Sequence, residues 1–309
     1  MSGRTVNSAI ILLVIGNFLA IISDSIIKWQ GGDVALYQFV FLRVLCTLAL
    51  LLPFVGLVDQ RRLLAGSRWH LLRAHVGLAG MLCMVVALNT LPLATANAIF
   101  YAAPVLVMLL GFWWLGERLN GLNLIAVVSG FLGIVVILRP QALTLASLSA
   151  LGLAVALAVN AILVRKLPRR QSMVHALLLT HVYVLPGALA MALWEAKPFD
   201  PGLLTAAFGS SLFILGYNAT VILAYRHVEA GRVTSAEYTG LIWAMLLGWW
   251  WFGELPDVWF FLGASMIVLP LLAISLRERH HQRAGKGREL PPGRLQGIGG
   301  SKSDSVPPE

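Results

Sequence analysis

Ten apolar runs, each long enough to cross a bilayer, follow one another through the first 277 residues with almost nothing between them. A helix needs about 20 apolar residues to span a hydrocarbon core roughly 30 Å thick. The runs read as spans 7–28, 34–57, 69–90, 92–115, 120–139, 145–166, 172–194, 202–225, 231–253 and 255–277. Each is expected to be helical, because lipid offers no partner for peptide N–H and C=O groups. Charged residues make up 12% of the chain and hydrophobic ones 58%. Soluble domains carry about 25% charged residues, so no polar shell can be built here. Fold class is therefore all-α polytopic membrane protein, with no extramembrane domain. The first run follows Arg4 much as a signal peptide would. It holds Asp24 and Lys28, however, and no small-residue cleavage site follows, so it is kept as a span. Residues 278–309, polar and rich in Gly and Pro, are expected to form a disordered tail.

Basic residues orient the bundle. Outside the membrane would lie only Lys28, Arg139 and Lys197, and Arg43 stands within a span. The rest of the 23 Lys and Arg residues, including Arg61, Arg62, Arg68 and Arg73, fall on the side of the N-terminus. The positive-inside rule then puts both termini in the cytoplasm of a cell whose inner membrane holds the chain. The net charge of +9 reports that topology and contact with anionic lipid, and no nucleic-acid partner.

The chain also repeats itself. "MLLGFWWLGE" (Met108 to Glu117) returns 137 positions later as "MLLGWWWFGE" (Met245 to Glu254), and the same offset sets Tyr101 against Tyr238. Earlier, "SDSIIK" echoes "VNAILVRK", placing Asp24 near Asn160. Spans 1–5 (7–139) and 6–10 (145–277) are thus two copies of one unit. Since five is odd, the second copy enters the membrane from the opposite side. Inverted repeats of this kind mark secondary transporters, whose site lies near mid-membrane between the halves.

These residues carry a resemblance. "PLATANAIFYAAPVLVMLLGFWWLGERLNGLNLIAVVSGFLGIVVILRP" and "VTSAEYTGLIWAMLLGWWWFGELPDVWFFLGASMIVLPLLAISLRE" resemble two EamA modules of the drug/metabolite transporter superfamily, over essentially all of 7–277. The resemblance implies ten transmembrane helices in two inverted five-helix EamA repeats and a carrier of small metabolites such as amino acids, S-adenosylmethionine or riboflavin. The second half is similar to the S-adenosylmethionine and riboflavin branch, especially around "FGELPD". It departs from the S-adenosylmethionine carriers at "AEYT", where Glu237 stands in place of a base.

The doubled Gly-Glu has a local reading. Gly116 and Gly253 allow the left-handed turn that ends a helix. Glu117 and Glu254 would then favour the N-terminus of the helix that follows, with the neighbouring tryptophans anchored at headgroup depth.

Polar groups at depth are the candidates for binding or coupling. Glu237 leads, read about 9 Å into a helix starting at Gly231; it suits a proton switch or a cationic substrate group. Arg43 either receives a substrate carboxylate or pairs with Asp24. Tyr238 and Trp243, with Tyr101 from the other half, are candidates for an aromatic wall, or equally for packing. Asn97, Asn160 and Asn218 can bond substrate or neighbouring helices, and His181 is a candidate proton sensor. Lys28, near the outer surface, is expected to snorkel. No metal set, cofactor motif, H-E-x-x-H or G-x-S-x-G occurs; "FGSSLF" (Phe208 to Phe213) is the nearest serine pattern. The expected partners are a small-molecule substrate, lipid and protons, with the chain acting as a monomer. An intramembrane enzyme and a cargo-free structural protein are the rival readings.

Overall fold

The computed structural model describes residues 5–58, 63–116, 121–138, 144–164, 166–168, 171–225 and 234–286. Its helices are α1 (Val6–Trp29), α2 (Leu36–Leu51), α3 (Ser67–Thr90), α4 (Leu93–Phe100), α5 (Ala103–Leu115), α6 (Gly121–Leu138), α7 (Leu145–Val164), α8 (Met173–Glu195), α9 (Pro201–Tyr225), α10 (Thr239–Phe252) and α11 (Val258–Lys286). Two 3-10 segments, Leu52–Leu57 and Thr234–Tyr238, extend α2 and precede α10. Among the described residues seven helices are long and apolar enough to cross a membrane, and shorter apolar stretches at Leu124–Leu138 and Val258–Ile274 join them.

Local chemistry sets the starts and stops. Thr5 and Ser8 cap α1 reciprocally, each side-chain oxygen accepting from the other's backbone N–H. Thr144 and Ser147 repeat the device at the start of α7, and Ser172 accepts from His175 N–H at the start of α8. Such caps satisfy N–H groups that the first helical turn leaves orphaned. Gly116 and Gly253 end α5 and α10 at φ 67° and 64°, a conformation that costs glycine little.

Three departures from the sequence reading matter. Span 92–115 breaks at Tyr101–Ala102 into α4 and α5, with Pro104 in the first turn of α5, where its missing N–H costs nothing. The described part of span 231–253 opens as a 3-10 turn, Thr234–Tyr238, before α10; residues 231–233 lie outside the described residues. The last helix does not stop at 277 but runs to Lys286; residues 287–309 of the expected tail lie outside the described residues.

Four closely packed pairs of helices run antiparallel, whereas α1 with α10 and α2 with α9 run parallel. Along α1 and α9, Gly16 faces Thr220, Leu19 faces Gly216 and Ser23 bonds Ser210. Gly77 and Gly80 of α3 face Asn160 and Ala156 of α7. In α2 and α8, Gln38 meets Glu195 at one end, and Leu57 beyond α2 meets Ser172 at the other. Between α6 and α11, Ser129 Oγ donates to Met266 O at 2.7 Å while Gly133 lies against Gly263. A methyl group on Gly133 would stand 2.6 Å from Gly263 O, so only glycine allows this approach. The outer faces are apolar: Trp113, Trp114, Trp194 and Trp250 are at least 60% exposed, and dozens of Leu, Ile, Val and Phe accompany them. Exposed apolar surface on this scale is suited to lipid.

Candidate functional site

The α4–α5 turn and the 3-10 turn that leads into α10 meet at the same place. Tyr101, at the α4–α5 turn, donates its hydroxyl to Glu237 O at 3.1 Å and faces the Tyr238 ring with centroids 6.0 Å apart. Asn17 of α1, 3% exposed, closes the third side. Its Nδ2 lies 3.0 Å from Ala236 O, 2.9 Å from Glu237 O and 3.2 Å from Thr239 Oγ1. The carbonyls left over by the 3-10 turn are thereby satisfied, as buried backbone requires. Glu237 therefore sits in a 3-10 turn that leads directly into α10, with the turn's free carbonyls bonded by Asn17 and Tyr101. Its side chain is half-buried, and its charge reaches the hydroxyls of Tyr101, Tyr217 and Tyr238.

Asp24 and Arg43 form a second group, 8% and 5% exposed. They are close enough for their charges to act on each other, with Asn97 beside the carboxylate. No ion pair among the described residues joins them directly; each feels the other's charge through space. Asn97 also donates to Leu93 O at 3.1 Å. Around it the helices are tied by hydroxyls: Ser23 to Ser210 at 2.8 Å, Ser211 to Arg43 O at 3.0 Å and Thr47 to Ser211 at 3.1 Å.

The Gly-Glu motif takes a partner that local reading does not give. The Glu254 Oε2 atom accepts from Leu93 N–H at 2.7 Å, at the N-terminus of α4, while Oε1 lies 2.8 Å from Lys28 Nζ. Lys28 also donates to Leu91 O at 2.6 Å and Leu88 O at 3.3 Å. So Glu254 caps α4 rather than α11, because antiparallel packing brings the end of α10 beside the start of α4. Asp257 caps α11 instead, accepting from Phe260 N–H at 2.8 Å. Lys28 does not snorkel: its side chain is 10% exposed. A cavity of about 270 Å³ opens beside this knot, between Pro92, Gly248, Glu254 and Phe260. Glu117 lies outside the described residues.

The remaining candidates scatter. Trp243 donates its indole N–H to Val14 O at 3.2 Å and packs on Phe18, centroids 4.9 Å apart, so it wedges α10 against α1. His181 donates Nδ1–H to Leu177 O at 2.8 Å and feels the charges of Arg43 and Arg73. Asn160 faces Gly77 across the α3–α7 seam, and Asn218 on α9 is half-buried. Two features escape the sequence reading. Asn17 is a lone amide at the centre of the first run, which was the available signal. Arg73, grouped there with surface bases, stands inside α3 with Nε and Nη1 shielded from solvent and without partners. His70 and His175, both buried, meet through Gln171 nearby. No group of three metal-ligating side chains occurs among the described residues.

Known proteins match along nearly the whole length. The profile of the EamA-like transporter family fits residues 7–139 and 144–276. An S-adenosylmethionine uptake transporter of Rickettsia prowazekii is 26% identical, over 84% of this chain and 89% of the relative. A riboflavin transporter of Vibrio cholerae is 26% identical over 81% and 84%, and a pseudopaline exporter of Pseudomonas aeruginosa 26% over 87% and 96%. One solved crystal structure superimposes with TM-score 0.54 at 18% identity, over 89% of this chain and 99% of that one, a likeness of fold alone.

Proposed function

The chain belongs to the EamA-like transporter family, and from that premise we propose that it is a secondary carrier of a small organic metabolite in the inner membrane, and no enzyme. The observation that carries the reading is the meeting of repeat mates: Tyr101 and Tyr238, 137 positions apart, touch where two helical runs break. Their helices run antiparallel, since Tyr101 lies at Gly240 while Leu93 lies at Gly248. The mates α2 with α8 and α6 with α11 are antiparallel too. Two five-span units, 7–139 and 145–277, related by an axis in the membrane plane would pack in this way. Ten spans with both termini cytoplasmic complete this reading, and the bundle works as a monomer.

Broken helices suit a transport site, because irregular backbone at depth supplies oriented polar groups and a place to bend. In this reading Glu237, Tyr101 and Tyr238 form the centre of the site, and Asp24, Arg43 and Asn97 its second polar group. Alternating access exposes them to each side in turn, and Glu237 exchanges protons with the cargo. The names of the relatives support S-adenosylmethionine, flavins and metal-chelating metabolites as first cargoes to test.

The test is flux into proteoliposomes of purified protein, with S-adenosylmethionine, riboflavin and amino acids as labelled cargoes, with and without a pH gradient. Wild type should accumulate at least one of them under the gradient, and Glu237→Gln should exchange that cargo without accumulating it. Gradient-driven accumulation by Glu237→Gln at the wild-type rate would remove Glu237 from coupling.

A further inference from the structure

The offset of 137 that overlays the halves also overlays two seams. It sets Ser23 on Asn160 and Arg73 on Ser210. At the α1–α9 seam the mates are closed, Ser23 Oγ lying 2.8 Å from Ser210 Oγ and donating to Ser210 O at 3.0 Å. At the α3–α7 seam the equivalent places hold a guanidinium and a carboxamide. Arg73 lies one turn before Gly77, hence on the same helix face, and a methyl group on Gly77 would stand 3.9 Å from Asn160 Nδ2. Arg73 Nε and Nη1 are shielded from solvent and have no hydrogen-bond partner.

Arg73 is a half-buried cation, and a cation whose N–H groups are shielded without partners is costly, more so inside a membrane. Helix packing gives no reason to keep one here, since a serine pair closes the sister seam. Arg43 cannot fill the same part, because Asp24 offsets its charge. No carboxylate of the described residues stands beside Arg73; the charged neighbours at this end are Arg43, across His181, and the imidazoles of His70 and His181. The site thus carries a positive charge that no described carboxylate offsets, with the Asn160 amide one helical turn along the same seam, which matches a single carboxylate better than a dianion.

We propose that Arg73, with Asn160 beside it, receives a carboxylate of the transported metabolite; the inference rests on the carrier reading and adds the substrate class to it. Glu237 and the tyrosines would then hold the other end of a cargo that is anionic at one end only.

Two measurements test this. In the first no cargo is needed: Arg73→Met should raise the unfolding midpoint of the cargo-free protein in detergent, since it removes an unmatched charge. A lowered or unchanged midpoint marks a structural or snorkelling arginine and overturns the inference. In the second, binding of S-adenosylmethionine, L-methionine and L-glutamate is compared with binding of their methyl esters, with riboflavin as the probe lacking a carboxylate. Wild type should prefer an acid over its ester. Arg73→Met should bind that acid roughly tenfold to a hundredfold more weakly, as loss of a charge-assisted bond requires, and bind the ester unchanged. Arg73→Lys should retain part of the preference. Equal binding of acid and ester by wild type, or binding of riboflavin alone, overturns the carboxylate assignment yet leaves the carrier reading standing. Binding of an acid without any flux would do the reverse.

Discussion

Substitution of Glu254 tests whether antiparallel packing, and not the local sequence, decides what this acid does. Its carboxylate serves two groups: the Leu93 N–H at 2.7 Å and the Lys28 ammonium at 2.8 Å. The α4 N-terminus has no other side-chain cap, since Pro92 precedes Leu93. In Glu254→Gln one acceptor survives but the charge is gone, and Lys28 is left with the carbonyls of Leu91 and Leu88. Breaking a fully buried pair costs about 3–5 kcal/mol. The surviving carbonyls, and the 21% exposure of the Glu254 side chain, bring the expectation down to about 2 kcal/mol. Glu254→Ala also loses the cap, which adds about 1 kcal/mol.

The exchange of the two residues, Lys28→Glu with Glu254→Lys, separates the contributions. Attraction alone is indifferent to which partner carries which sign. The structure is not: an ammonium would face the N-terminus of α4 and a carboxylate would face the Leu88 and Leu91 carbonyls, both unfavourable. The exchanged protein should therefore be at least as unstable as Glu254→Ala. Equilibrium unfolding in mixed detergent and dodecyl sulfate micelles, followed by tryptophan fluorescence, measures all three. Wild-type stability in the exchanged protein would refute the helix-terminus argument. A loss of less than about 0.5 kcal/mol in Glu254→Gln, within the range of ordinary surface changes, would refute the whole account.

Two further outcomes are open to the same assay. Asn17→Leu should destabilise by about 1 kcal/mol, because the Ala236 and Glu237 carbonyls each lose one of two donors and keep Thr239 and Tyr101, and it should lower flux even where the protein still folds. Gly263→Ala places a methyl group 2.5 Å from Gly133 O, an atom of backbone that cannot turn aside; a cost of about 3 kcal/mol is expected, whereas alanine at Gly56, where nothing lies within 4 Å, should be neutral.

Nearly all helix positions were legible because the governing constraint is one-dimensional: hydrocarbon demands long apolar helices, and their lengths can be counted in the chain. The breaks were not. "NAIFYAAPV" stays apolar across the α4–α5 turn, so hydropathy passes over it, and only Pro104 marks it. The 3-10 turn at Glu237 is held by Asn17, more than 200 positions away in sequence, and no local pattern reports such a bond. Arg73 was masked by its neighbours, since Arg61, Arg62 and Arg68 make it look like the end of a surface cluster. The tyrosine pair was within reach, because the offset between the halves already set Tyr101 against Tyr238.

Glu254 has a counterpart that makes its behaviour general. Glu195, at the end of α8, gives Oε2 to Gln38 N–H at 3.0 Å, in the first turn of α2. Both acids stand next to a left-handed residue that stops their helix, Ala196 at φ 51° and Gly253 at φ 64°. Both serve the N-terminus of the helix lying antiparallel to their own. The physical reason is common to the two. When helices run in opposite senses, the last carbonyls of one lie beside the first N–H groups of the other, and an acid at the stop can reach donors that neither water nor its own helix supplies. Lys28 and Gln38 complete the same belt, so this end of the bundle is tied by charge-assisted bonds, whereas the seam around Asn17 and Tyr101 is held by neutral bonds to backbone carbonyls. Any motion that parts α4 from α10 at the Glu254 end must expose Lys28 and orphan Leu93 N–H together. The free energy of opening that end therefore depends on Lys28, Glu254 and Leu93 N–H, and it can be altered there without touching the tyrosine seam.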